Sequence, residues 1–517
     1  MTLPLVIFLA ISCLVAVAVP WMGVVIYYVM AVGQLTAFYP HHFGQNRIFL
    51  FMTLATLAGL GIATATRQVD WRRLLHYPSL LMFLLVVVVN FSASISPFQE
   101  FEDVKRGVLS PVEVLETFNK IMLYYFVAVL LIDTRAKLVT IISVIGAVLL
   151  YYTFWANKVY LTQELWLFGD NGRLGGPEGV YHDENYLALL FLIATPILYY
   201  LAVGCRIRIL RWALWLCIPL SWHGLFLTGS RGAFLSLGIV CCYIFFRSYS
   251  RKASLLFLVA FAVAVVDQSG QLLDRVTNTV DKVENERDRA FIENSDDSPE
   301  IEIDVVDPRV ISWTVGFDMI KDYPIMGVGT GNFMRAFPEY HNSEPHVAHN
   351  TFIQFAADNG LIAGFVYLFF LFTRLKNVFS KPNAEKEFAR GLPRDYLDDL
   401  LNALLISFYC VAFFLDLMIL EVTYFIFLAV ACKYSLDRAK EAPSFSLIDS
   451  IYRWRQDSIE REEGPQVVSS SVGHVPLSAQ VSEAEKIVEE EPVEVPERAP
   501  SVYASHSNNQ YARHMPR

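Results

Sequence analysis

The chain has 517 residues and a net charge of −10, with 54% hydrophobic but only 18% charged residues and a mean hydropathy of +0.40. Soluble globular proteins carry about 25% charged residues, so a water-soluble domain of this length is excluded. The acidic balance also excludes a nucleic-acid binder, which needs a basic face.

In chain order, apolar runs predict about thirteen membrane-spanning helices. They begin near Leu3, Trp21, Ile48, Pro78, Ile121, Leu138, Asn185, Trp212, Gly232, Ala253, Asn350, Leu400 and Met418. Runs such as Ile48 to Ala65 and Tyr186 to Val203 approach the ~20 residues that cross a hydrocarbon core. They are apolar on every face, unlike the alternating strands of a β-barrel. Without water to bond the backbone, each must be a helix. The expected fold is therefore an all-α polytopic bundle in the lipid bilayer. Pro20 makes the first forty residues either a hairpin or one broken helix. The first basic residue is Arg47, so the start lacks the charged region of a cleavable signal. Cys13, Cys205, Cys217, Cys241, Cys242, Cys410 and Cys432 all lie in or beside apolar runs, which predicts buried thiols rather than a disulfide framework.

Lys and Arg set the sidedness. Basic clusters at Arg67 to Arg73, Arg135 and Lys137, Arg206 to Arg211, Arg247 to Lys252, Arg374 to Arg394 and Lys433 to Lys440 alternate with acidic or mixed connections. The alternation predicts that the loop 268–348 is extracytoplasmic, within a transmembrane domain 1–440. It leaves 441–517 as a cytoplasmic tail, whose Ser, Glu and Pro content predicts no packed core.

Polar residues gather in the connections expected outside. Gly172-Arg173 to Pro177, followed by His182-Asp183-Glu184-Asn185, leads into a span; Arg173 and Asn185 there suit either helix capping or a polar substrate entrance. Gly229-Ser230-Arg231-Gly232 joins two spans by a very short turn. An Arg held at that level is either a snorkelling anchor or functional. Asp307-Pro308-Arg309 has the pattern of a helix start. Val310, Trp313, Phe317 and Ile320 follow as one expected apolar face, placing Arg309 in a first turn whose free N–H groups favour an anion. Gly327, Gly329 and Gly331 lack the setting of a P-loop and predict a tight turn. His341, His346 and His349 lack the partners of a zinc site. His349, expected at a helix N-terminus, is suited to remain neutral and accept a proton, or to act as a cap. Gly360 and Gly364 form a GxxxG pair, expected to pack helices closely.

Thr228-Gly229-Ser230-Arg231-Gly232-Ala233 resembles the outward turn of the O-antigen ligase and polymerase superfamily of bacterial membrane proteins. Arg309, Trp313, Tyr323-Pro324-Ile325-Met326-Gly327-Val328-Gly329, His349-Asn350-Thr351, Asn359-Gly360-Leu361 and Gly364 continue the resemblance in order and spacing. Gly172-Arg173 with Asp183-Glu184-Asn185 is similar to the motif that precedes them. Pro20-Trp21-Met22-Gly23 with Tyr39-Pro40 resembles the exosortase-associated O-glycosylation ligases. The chain departs from the pattern at Asp358, where many relatives carry Glu, and in an acidic insert around Glu284 to Asp304.

The resemblance implies transfer of a glycan from a polyprenyl-diphosphate carrier to a glycan, lipid or protein hydroxyl on the periplasmic side of the bacterial inner membrane. It implies His349 as general base and Arg231 and Arg309 on the diphosphate, with Arg173 and Asn185 assisting. It calls for no cofactor or metal, because guanidinium forks suit phosphate oxygens. One base without a covalent nucleophile implies inversion at the anomeric carbon. A polymerase shares this donor chemistry. A glycolipid flippase, the alternative from another class, would place its polar residues near the bilayer midplane, whereas these gather at one mouth.

Overall fold

The computed structural model describes residues 3–38, 47–98, 109–169, 172–177, 179–205, 207–247, 259, 308–379 and 396–438. The span expected from Ala253, the loop through 307, Tyr39-Pro40 and the tail 441–517 lie outside these residues. The described chain is all-α. Its principal helices are α1 (Leu3–Ala18), α2 (Pro20–Val32), α3 (Arg47–Ala65), α4 (Tyr77–Ser94), α5 (Pro111–Leu131), α6 (Arg135–Leu161), α7 (Glu184–Gly204), α8 (Arg208–Thr228), α9 (Arg231–Arg247), α10 (Pro308–Asp322), α11 (Thr351–Phe379), α12 (Tyr396–Ala412) and α13 (Glu421–Arg438). Seven of them contain stretches long and apolar enough to cross a membrane. On α4, Leu80, Phe83, Leu84, Val87 and Phe91 form an exposed apolar stripe, the surface that lipid tails cover.

Pro20 opens α2 after a non-helical Val19, so residues 3–32 form two helices, which pack on each other and on α3. The helix expected near Ile121 starts earlier, at Pro111. There Ser110 and Glu113 form a reciprocal capping box, satisfying donors that a bare helix end would leave open. At the centre stands α13, buried at every position from Val422 to Lys433 and packed against α2, α4, α5, α6 and α12. A helix apolar all round belongs in such a place. Its buried Lys433 is paired with Asp398 at 3.3 Å and Asp437 at 2.6 Å.

Connections assigned by charge to the same side do meet. At one end Arg73 donates to the Ile132 carbonyl at 2.9 Å, and Arg247 pairs with Asp399 at 2.6 Å. At the other end the connections before α7, α9, α11 and α13 touch one another, as detailed below.

The span expected from Asn350 is not a single rod. Gly360 interrupts α11 at φ 81°, ψ 169°, a region essentially confined to glycine. The ring of Phe355 stacks on Tyr367 with centroids 4.8 Å apart, and Phe352 lies 6.4 Å from the same ring. In a straight helix, residues twelve positions apart are separated by about 18 Å, so arms 351–359 and 361–379 fold face to face. The expected GxxxG packing is thus corrected at Gly360, which is the bend. Gly364 does pack closely, against Ala356 of the opposing arm.

Breaking a helix strands backbone groups that need new partners. Leu361 N–H leaves its helical acceptor and donates to Pro324 O at 2.8 Å. The carbonyls of Ala357 and Asp358 accept from Val328 and Gly329, each at 2.9 Å. Gly327, Gly329 and Gly331 all take positive φ. Their segment is the tight turn the sequence predicts, fitted against the bend. With the Val328 and Gly329 amides committed to α11, this turn is not a phosphate cradle.

Candidate functional site

The site is built around the connection 413–420 between α12 and α13. Thr351, the first residue of α11, donates its hydroxyl to Leu415 O at 2.6 Å and accepts from Leu417 N at 3.1 Å. Tyr186, near the start of α7, donates to Asp416 O at 2.6 Å. At the start of α9, Gly232 sits so close to Phe414 that a Cβ there would lie 2.7 Å from the ring. Asp416 accepts from Met418 N at 3.1 Å. Burial nevertheless pushes its carboxyl up to about 6, because desolvation penalises the charged form.

Arg231 follows a tight turn. Gly229 ends α8 in the left-handed conformation, letting the chain reverse within two residues. Arg231 is exposed, and among the described residues none bonds its guanidinium. Arg173 and Asn185, expected to assist on the substrate, are engaged with the protein. Arg173 Nε donates to Thr228 O at 2.8 Å, one Nη donates to Asn185 Oδ1 at 2.8 Å, and the other lies 3.7 Å from Glu184. Leu174 N–H adds a 2.9 Å bond to Leu227 O. Together they brace the turn that presents Arg231.

Arg309, half-buried, lies in the first turn of α10. The cap expected from Asp307 lies outside the described residues. The apolar face expected on this helix is rotated. Val310 and Phe317 are exposed, whereas Ser312, Val315 and Met319 are buried. Trp313, one turn beyond Arg309, donates its indole N–H to Ala348 O at 2.8 Å, tying α10 to the residue before His349.

His349 is not the cap of α11. Asn350 is: its Oδ1 accepts from Phe352 N at 3.0 Å and Ile353 N at 3.2 Å. His349 stands just outside the helix, half-buried, at φ 48°. A non-glycine residue held there carries strain of about 1–3 kcal/mol and persists only where its surroundings enforce it. The enforcement is visible. Ala348 N–H donates to Gln354 Oε1 at 2.8 Å, and Gln354 Nε2 donates to Asp358 Oδ2 at 3.0 Å. Asp358 Oδ1 accepts from Phe333 N at 2.9 Å. Gln354 and this use of Asp358 are not apparent from motif reading, although two polar residues four apart in an apolar run share one helix face.

Thr351 and Gly232 thus seat on the same connection, each within two residues of His349 and Arg231 respectively. Trp313 ties the helix of Arg309 to the same place. Residues 212–368 match the family model described as O-antigen ligase. Over these residues the chain is similar to the O-antigen ligases. The matched residues include Arg231, Arg309 and His349. Arg173, Asn185, the 413–420 connection and the segments resembling the exosortase-associated ligases lie outside them. Comparison with curated proteins gives no match. The resemblance to the superfamily therefore holds over these residues, and the apolar helices mark the chain as a multi-pass membrane protein.

Proposed function

We propose that the protein is a metal-independent, inverting glycosyltransferase. It moves a glycan from a polyprenyl diphosphate to an acceptor hydroxyl at the extracytoplasmic face of the inner membrane. The observation that carries this reading is that Gly232 and Thr351, neighbours of Arg231 and His349, seat on one connection while Trp313 ties the helix of Arg309 to Ala348, all three polar residues lying inside the match. In this reading 1–440 is the catalytic domain, 268–348 its extracytoplasmic loop and 441–517 a cytoplasmic tail.

His349 takes the proton of the acceptor hydroxyl as that oxygen bonds the anomeric carbon. The bond from that carbon to the diphosphate oxygen breaks, and its electron pair leaves with the phosphate. Arg231 and Arg309 meet the developing charge with guanidinium donors already in place, the arrangement that makes electrostatic stabilisation effective. The imidazolium returns its proton to solvent, and polyprenyl diphosphate leaves. Attack opposite the leaving group inverts the anomeric configuration. Arg173, Asn185 and Glu184 serve by holding the Arg231 turn.

Reconstituted protein with a lipid-diphosphate glycan and candidate acceptors tests the reading; a product retaining configuration, or a trapped glycosyl-enzyme, overturns the single displacement. Chain length separates the two family activities. Loss of a repeat ladder on deletion marks a polymerase, and loss of attached glycan with chains intact marks a ligase. Arg231→Lys keeps the charge but loses the bidentate fork. Transfer efficiency should fall about tenfold, and about a hundredfold in Arg231→Ala, the scale of one and two charge-assisted hydrogen bonds. Full activity in Arg231→Ala removes this residue from donor binding.

A further inference from the structure

We propose that Gln354, aimed by Asp358, is a positioning residue that sets the imidazole of His349. The inference rests on the reading of His349 as the base, but the geometry behind it is independent of that reading. Ala348, immediately before His349, is fully buried, and both of its backbone polar groups are held by side chains. Its N–H goes to Gln354 and its C=O to Trp313, each at 2.8 Å. On the other side Asn350 is fixed as the α11 cap. His349 therefore lies between two anchored residues, in a backbone conformation that it does not adopt readily by itself.

The polarity of this relay allows only one arrangement. A backbone N–H can only donate, so the group that faces it must be an acceptor. Gln354 stands between Ala348 N–H and the Asp358 carboxylate, so its amide oxygen must face Ala348 and its NH2 must face Asp358. Asp358 is itself held by Phe333 N–H, and its own backbone carbonyl accepts from Gly329 N–H and the Ser92 hydroxyl, both at 2.9 Å. Gln354 and Asp358 are 4% and 1% exposed, so water offers little substitute for a lost partner. The relay thus carries the geometry of the α11 bend and the glycine turn to the residue beside His349. An amide at position 358 would set an NH2 against either the Gln354 NH2 or the Phe333 N–H, so one of these two donors would lose its acceptor.

The test uses full-length protein in lipid nanodiscs, comparing wild type with Gln354→Met, Asp358→Asn, Asp358→Glu and Trp313→Phe. Two readouts are taken on each: transfer kinetics, and the rate at which diethyl pyrocarbonate modifies His349, resolved by mass spectrometry with His341 as internal reference. Gln354→Met should lower kcat about 10- to 100-fold, the cost of a misplacement near 1 Å, with donor KM changed less than about twofold. It should change the relative His349 modification rate by about threefold or more. Asp358→Asn should move both readouts the same way, and Asp358→Glu should recover most of the loss. If Gln354→Met does not fold, Trp313→Phe keeps the ring and removes only the indole donor, testing the same anchoring from its other side. Unchanged His349 modification in the folded variants overturns the proposal, whether or not transfer falls. Altered modification with unchanged transfer leaves the positioning relay standing and overturns His349 as the base.

Discussion

Replacement of His349 with alanine is expected to lower glycan transfer by about 10²- to 10⁴-fold, the usual contribution of a positioned general base, with donor binding retained. The expectation follows from where this side chain stands. Asn350 supplies the α11 cap, so removing the imidazole leaves that helix end satisfied. Ala348 keeps both of its anchors, and Thr351 keeps its bonds to the 413–420 connection. Alanine also lacks the bulk that would force the neighbouring backbone to move. The variant should therefore fold, bind a lipid-diphosphate donor normally and fail at transfer. Added imidazole should restore part of the rate if the missing function is proton acceptance. Transfer at the wild-type rate would move the search for a base elsewhere. Loss of donor binding together with transfer would instead place His349 on the donor.

The membrane class and the three matched polar residues were legible because both depend on side-chain identity. An apolar run has few places to go but lipid or a core. Arg231 between two spans and His349 before another stand out against such runs. The 413–420 connection was legible only as a turn, because it works mainly through the carbonyls of Leu415 and Asp416, which residue type does not encode. The rotated face of α10 has a related cause. In a chain that meets lipid, apolar residues such as Val310 and Phe317 need not face protein, since lipid tails are as apolar as leucine. Periodicity alone thus found Trp313 and Ile320 on the packed face but not the rotation that exposes Val310 and Phe317. Two local signals were present and outweighed. Ser110 and Glu113 spell a capping box ten residues before the hydropathy run near Ile121. Asn359-Gly360 is a turn dipeptide within a stretch whose mean hydropathy speaks for one continuous helix.

That dipeptide gives the largest expected effect on stability. Gly360→Ala should cost about 3 kcal/mol or more and leave little folded protein on extraction, since two penalties coincide. Its φ of 81° with ψ of 169° is strained for any residue with a Cβ. An added Cβ would also lie 2.0 Å from Ile325 O and 2.3 Å from Ile325 C. Those are backbone atoms of the turn that takes up the hydrogen bonds freed at the bend, so they have no side-chain freedom with which to yield. Opening the bend to relieve the contact would pull Val328 and Gly329 from Ala357 and Asp358 and separate Phe355 from Tyr367. It would also disturb the relay from Asp358 to His349. Gly61→Ala is the control, because nothing lies within 4 Å of a Cβ at that helical position. It should be neutral or stabilise by up to about 1 kcal/mol through helix propensity. Gly364→Ala should fall between them, its Cβ meeting the small Ala356 side chain at 3.2 Å. Thermal unfolding of the three variants in detergent checks the order. Gly360→Ala as stable as Gly61→Ala would mean that α11 can run straight, and the fold-back that stacks Phe355 on Tyr367 would be wrong.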